Sequence, residues 1–523
     1  MVDFIIVGAG SAGCVLADRL SADGRYQVLV LEAGGSDWNP FVHMPAGLAQ
    51  LTKFTSINWN YNTEPQAQLN NRRLYWPRGK LLGGSSSINA MCYIRGHASD
   101  YDHWASLGNS GWSYAEVLPY FKRAENNERG AGEFHGSGGP LNVADLRHTN
   151  TLSHAFVAAA QQAQFTHQPD FNGAEQEGFG FYQVTQKDGK RCSTAAGYLK
   201  RAMARGNVEV ITNAQVLGLT WEGTRVTGVQ YRKAGALRSA TAACEVLLAG
   251  GAINSPQLLM LSGVGAPDQL RQHGIAARVD LPGVGQNLQD HLDICTLMLA
   301  KEKITYDTAS DIQIGLEYLL TGGGIGSSNI AETGGFAKSA LANDRPDLQF
   351  HFVPALLEDH GRVRVNDYGF TLHCCPLRPQ SRGEITLHSN DPAAPARIQP
   401  NYLGAENDFE LMLEALKLSQ EILAQPALAR HTRGCYAPAV NQTSREQHIE
   451  FIRQKAESIY HPVGTCKMGS DASAVVDAKL RVHGTQGLRV IDASIMPTLI
   501  GGNTNAPTVM IAEKASDLIL GVG

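Results

Sequence analysis

The start of the chain limits its possible folds more than any other part. Phe4-Ile5-Ile6-Val7 is an apolar run suited to a buried parallel strand, and Gly8-Ala9-Gly10-Ser11-Ala12-Gly13 follows at once. Ala12, Val15, Leu16 and Leu20 recur at helical spacing, and a second apolar run, Val28-Leu29-Val30-Leu31, ends in Glu32. Strand, glycine turn, helix, strand and acid form one βαβ unit with the G-x-G-x-x-G fingerprint of a dinucleotide site. Gly8 makes the tight turn, Gly10 admits a pyrophosphate close to the backbone, and Gly13 lets the helix pack on the sheet. Ser11 and Ala12 open the helix, whose free N–H groups and positive dipole end favour phosphate. Glu32, followed by Ala33, can accept hydrogen bonds from ribose hydroxyls, and its charge opposes a 2′-phosphate, which argues against NADP. The motif alone leaves FAD and NAD open.

The 523 residues carry a net charge of −5, with 43% apolar and 18% charged side chains. This is a folded composition with no basic surplus for nucleic acid. No apolar run reaches the roughly 18 residues of a membrane span. The strand pattern begins too early for a signal peptide, so a cytoplasmic location is expected. The nine cysteines lack a C-x-x-C pair and read as reduced thiols. There is no H-E-x-x-H and no cluster of His, Asp and Glu at ligand spacing, so no catalytic metal is expected.

Further strand–glycine–helix grammar lies downstream. Residues 206–211, 226–231 and 245–249 read as strands, the last running into Gly250-Gly251 and a helix. Residues 347–353, 368–375 and 383–387 read as sheet strands. A helix over 406–424 carries Phe409, Met412, Leu413, Leu416 and Leu423 on one face. The expected organisation is a discontinuous α/β, Rossmann-type cofactor domain (1–145, 190–295 and 451–523). An α+β substrate domain with an antiparallel sheet (146–189 and 296–450) is inserted into it.

The stretch Trp76 to Arg95, containing Pro77-Arg78-Gly79 and Gly83-Gly84-Ser85-Ser86-Ser87-Ile88-Asn89-Ala90-Met91, resembles the glucose–methanol–choline (GMC) oxidoreductases. So do Ala249 to Pro256, Leu281 to His291, His461 to Gly469, Asp492-Ala493-Ser494 and Gly502 to Thr508. The nearest likeness is to bacterial alcohol and choline dehydrogenase-like members. The resemblance implies the GMC fold and FAD rather than NAD. It carries Gly8, Gly10, Ser11, Ala12, Gly13, Glu32 and Ala33 onto the ADP half, with Val216 meeting the adenine and Ala249 and Gly250 close by. Arg78, Gly83, Gly84, Ser87, Asn89, Ala90 and Met91 are implied along the isoalloxazine. Asp492, Ala493, Asn503, Asn505 and Thr508 are implied at the ribityl chain and pyrimidine edge. Some members attach FAD through a histidine in the glycine-serine loop; Ile88 holds that place here, so non-covalent FAD is expected.

Alcohol oxidation removes a proton from oxygen and a hydride from carbon. Flavin accepts the hydride, and the protein supplies a base and a donor to the developing alkoxide. His461 matches the family's catalytic histidine, and imidazole titrates near working pH. Asn503 matches its partner position and serves as orienter. A primary alcohol is the implied substrate, uncharged because nothing builds an aromatic cage for a quaternary ammonium. Choline oxidation and an FAD-containing hydroxynitrile lyase are the alternatives. Electrons pass to a quinone-type acceptor or dioxygen, and any membrane contact is peripheral. His291 reads as structural, near the edge of the flavin domain. Ile459 reads as packing that could affect dioxygen access. Glu332 reads as a solvated or ion-paired carboxylate rather than a partner for a cationic substrate.

Overall fold

The computed structural model describes residues 1–51, 54–363 and 365–522. In chain order, the elements that position the site begin with β1 (Val2–Val7), α1 (Ser11–Leu20) and β2 (Val28–Leu31). Next come α2 (Thr151–Gln162) and β3 (Gly178–Phe181), then β4 (Val208–Ile211), β5 (Ala214–Glu222), β6 (Arg225–Lys233) and β7 (Ala236–Leu248). Then follow α3 (Gly251–Leu261), β8 (Leu292–Ala300), α4 (Asp311–Thr321), β9 (Thr333–Ala337), β10 (Leu348–Val353) and β11 (Gly369–Pro376). The last are α5 (Glu406–Leu423), β12 (Thr432–Ala437), β13 (Leu488–Val490) and α6 (Asn505–Leu520).

The first sheet runs β4-β2-β1-β7-β6-β5, with β13 also paired to β7. Pairing is parallel among β4, β2, β1, the end of β7 and β13, and antiparallel from β7 through β6 to β5. Every side chain of β2 and the last four of β1 are buried, as the continuous apolar runs require of strands covered on both faces. Crossover helix α1 packs against α6. Arg19 of α1 and Arg123 both bind the buried Glu513 carboxylate of α6.

The second sheet runs β12-β8-β11-β10-β9-β3 and is antiparallel throughout. Helices α5 and α2 lie against it. Its strand β8 opens at Leu292 and pairs there with Glu457–Ser458, so both pieces fall outside the expected 296–450 span. Helix α5 is rotated from the expected face. Leu411, Met412, Ala415, Leu416, Ile422 and Leu423 are buried, whereas Phe409 and Leu413 are only half-buried. Its apolar stripe is wide enough for more than one facing, and the sheet selects among them. All nine cysteines are free.

Candidate active site

One cavity of about 1120 Å³ runs from the glycine turn after β1 to the inner face of the second sheet. Gly8 has φ +101°, and a Cβ there would lie 2.7 Å from the Ala249 carbonyl oxygen, so only glycine makes this turn. A Cβ on Gly13 would sit 1.9 Å from the Gly8 oxygen; Gly13 thus packs α1 on the strand and does not line the cavity. Gly10 is different. A Cβ there meets nothing closer than 3.9 Å, because that side of the turn faces the cavity. Together with the open N-terminus of α1, this is the cradle that a pyrophosphate requires. Ser11 Oγ donates to Asn505 Oδ1 at 2.8 Å, bringing the N-terminal ends of α1 and α6 together at the cavity.

Glu32 lines the same wall with Ala33 and Val216. Its carboxylate accepts from the Ala9 and Gly34 amides, both at 2.8 Å. Burial pushes its pKa up to about 7 against those two bonds and Lys80. Ala249, Gly250, Ala493 and Thr508 also line the cavity. Asp492 lines it as well, and its oxygens hold the Gly251 and Ser494 amides and the Ser255 hydroxyl.

The glycine-serine loop forms the opposite wall through Gly84, Ile88, Asn89, Ala90 and Met91. A Cβ on Gly84 would lie 2.7 Å from the Gly10 Cα, which sets how closely loop and turn meet. Gly83 and Ser87 stand behind this wall, contrary to expectation. The Gly83 amide binds the Ala9 oxygen and the Ser87 hydroxyl binds the Leu82 oxygen, so both shape the loop from within. Arg78 lines the cavity while its guanidinium holds the Tyr460 carbonyl at 2.6 Å. Sequence reasoning missed Arg191, which is buried and donates to the carbonyls of Val42, Ser86 and Asn89 and to the Asn89 side chain. Spacing gave no signal for it.

At the far end, His461 is buried and its Nε2 lies 3.2 Å from Asn503 Nδ2. Gln349 Nε2 donates to Asn503 Oδ1 at 3.0 Å, so the amide turns its N–H toward His461. The His461 amide is held by Asp290, which also takes the hydroxyls of Ser458 and Tyr402. Burial, followed by His291, His351 and Arg78, holds the His461 imidazolium well below the usual histidine range. The ring is therefore neutral and able to accept a proton. His291 does not sit at a domain edge as expected: it is fully buried and its Nδ1 lies 2.9 Å from His461 Nδ1. Glu332 is neither solvated nor ion-paired. It is fully buried and accepts from the Asn150 amide and the hydroxyls of Ser153, Ser328 and Tyr306.

Residues 2–293 match the GMC oxidoreductase N-terminal family model, and residues 379–512 match its C-terminal counterpart. The chain belongs to the GMC oxidoreductase family. It is similar to the "alcohol dehydrogenase [acceptor]" of Pseudomonas putida, at 49% identity over 99% of this chain and 96% of that protein. It is 47% identical to human mitochondrial choline dehydrogenase over 99% of this chain and 89% of the relative. Pyridoxine 4-oxidase from Mesorbium loti shares the fold with a TM-score of 0.91 at 31% identity, covering 99% and 98% of the two chains. As a GMC oxidoreductase the chain is an FAD-dependent enzyme acting on the CH–OH group of its donor. The Gly10 cradle, the Glu32 wall and the small-residue loop fit FAD, and Ile88 offers no nucleophile for covalent attachment.

Proposed function

We propose that this GMC oxidoreductase oxidises an uncharged primary alcohol to the aldehyde, with His461 as base and Asn503 as orienter. Segments of the first sheet hold the cofactor, and the second sheet walls the substrate end. The observation that carries this reading is the His461 Nε2 atom lying 3.2 Å from the Asn503 Nδ2 donor on the cavity wall. The substrate hydroxyl donates to Nε2 and accepts from the Asn503 amide, so the O–H proton leaves as the alkoxide gains a donor. FAD, which the Gly10 cradle, the Glu32 wall and the small-residue loop would hold, would supply the hydride acceptor for the carbinol carbon and the route for two electrons to a quinone-type acceptor or dioxygen. The pocket beside His461 favours hydrocarbon: Ile330, Ala331, Val353, Ala355, Leu357 and Ile459 line it, and Glu332 is already committed to four donors. The decisive test is anaerobic flavin bleaching by a panel of primary alcohols in wild type and His461→Ala. Wild type should bleach with an uncharged alcohol, and the variant should keep its flavin without bleaching. Fast bleaching of the variant would remove His461 as base, and bleaching by choline alone would overturn the substrate class.

Peripheral membrane contact at the cytoplasmic face also belongs to this reading. No helix among the described residues is long and apolar enough to cross a membrane. Helix α4, however, leaves Ile312, Leu316, Leu319 and Leu320 exposed, and Tyr318 OH ties it to Gly189 between the exposed Lys187 and Lys190. An exposed apolar helix face of this kind suits a bilayer surface. Ile312 and Ile314 also line the cavity, so an apolar alcohol could enter from the lipid side. Cosedimentation with anionic vesicles should be lost in a Leu316→Glu/Leu320→Glu variant; equal binding of both proteins would reject the contact.

A further inference from the structure

Three strands of the second sheet place a row of potential metal ligands at the cavity wall. Cys295 of β8 is the register partner of His373 of β11, and His373 is the register partner of His351 of β10. Asp293 lies two residues from Cys295 and so shares its face of the strand. The His373 Nδ1 atom is 2.6 Å from Asp293 Oδ2 and 3.1 Å from Cys295 Sγ, and the sulfur is 3.4 Å from the same carboxylate oxygen. The three ligand atoms lie within 4.8 Å of one another. Asp293 is fully buried, and its other oxygen, Oδ1, has no hydrogen-bond partner; neither has the buried His351 Nδ1. A buried carboxylate oxygen without a donor is costly and points to a missing cation or proton. His373 lies 78 and 80 positions from Cys295 and Asp293, so no spacing motif revealed the group.

We propose that Asp293, Cys295 and His373 form a binding site for one borderline-soft divalent cation, represented by Zn²⁺, and that its occupancy inhibits the enzyme. The donor set of thiolate, imidazole and carboxylate is that of zinc rather than of magnesium or calcium. An ion at bond lengths of about 2.0–2.3 Å sets its ligands roughly 3.3–3.6 Å apart. The trio therefore needs to open by about half an ångström, within reach of rotamer adjustment on a rigid ladder. Binding breaks the S–H bond of Cys295 and forms a metal–sulfur bond; the thiol proton leaves to solvent and no electron moves. His351 and His373 line the substrate cavity that holds His461, so an ion fixing His373 would stiffen and fill that wall.

The test uses the FAD-loaded enzyme after EDTA treatment, dialysed against ZnCl₂ and assayed for bound metal and alcohol-driven flavin bleaching. Wild type should retain one zinc per chain, release protons on binding and lose turnover reversibly. Cys295→Ser should keep its flavin and its zinc-free turnover but bind zinc at least tenfold more weakly and resist inhibition. Asp293→Asn provides a second weakening without touching sulfur, should the serine variant fold poorly. No retained zinc, or equal retention and inhibition in both variants and wild type, would overturn the site.

Discussion

His291 Nε2 faces the Leu377 carbonyl at 3.0 Å while its Nδ1 faces His461 Nδ1 at 2.9 Å. A carbonyl only accepts, so Nε2 of His291 carries the proton. Burial holds His291 down to about 4, so the ring is neutral and its Nδ1 is bare. His461 must then donate through its own Nδ1, which leaves its Nε2 free of hydrogen on the side of Asn503. One backbone oxygen thus sets, through two rings, which nitrogen acts as base.

Removing that relay should misplace the proton without removing the base. His291→Phe is expected to slow alcohol-driven flavin reduction by roughly tenfold to a hundredfold, less than the roughly hundredfold to ten-thousandfold that loss of the base itself would cost. His291→Gln can both donate to Leu377 and accept from His461, so it should recover much of the loss. Stopped-flow reduction rates of the two variants check this; equal rates in Phe and Gln would show that the tautomer is set elsewhere.

The acid limb of kcat/KM should lie well below pH 6.5, because His461 stays neutral down to that range. Stability follows the same sign. His291 and His351 are each held to about 4 by burial. Below about pH 6.5 the unfolded chain binds protons that these folded rings refuse, so they lower stability on acidification and contribute nothing above it. Thermal unfolding between pH 7.5 and 5 should therefore fall less steeply in His351→Gln than in wild type.

Two glycines of the fingerprint should fail in different ways. Gly13→Ala drives a Cβ to 1.9 Å from the Gly8 oxygen, and overpacking of this kind costs about 3 kcal/mol. Gly10→Val meets only the cavity, so a folded, flavin-free protein is expected. Circular dichroism melting and flavin content together distinguish the two outcomes.

Glu332→Gln should weaken the fold by about 2 kcal/mol, since a glutamine cannot accept from all four donors. The ratio of neutral to cationic alcohol turnover should not change. A shift in that ratio would return Glu332 to substrate recognition.

Acid precipitation of the native protein should leave a colourless pellet and all the flavin in the supernatant. The reason is local: Ile88 presents hydrocarbon where attachment would need a nucleophilic nitrogen.

The fingerprint and the parallel strands were legible because each is a local pattern of a few consecutive residues, whereas His461 and Asn503, 42 positions apart, were named only through the family resemblance. Gly13, Gly83 and Ser87 belong to those patterns yet act behind the cavity wall, a distinction made by the side of the turn they face. His291, Glu332 and the Asp293–Cys295–His373 row were not legible, because their partners come from cross-strand register and from loops far away in sequence. Helix α5 shows the same limit: its stripe of apolar residues was visible, but its rotation was set by the sheet beneath it.

The hydroxyl of Ser11 and the side chain of Asn505 meet across 494 positions, and β13, at 488–490, completes the sheet around β7. A nascent chain displays the whole phosphate-binding turn long before the strand and helix that close it have been made. Capture of the cofactor is therefore a late event of biosynthesis. A chain stalled near residue 450 would carry the complete fingerprint but lack the wall that His461, Asp492, Asn503 and Asn505 supply, and flavin uptake would mark the moment at which the two distant segments first coexist.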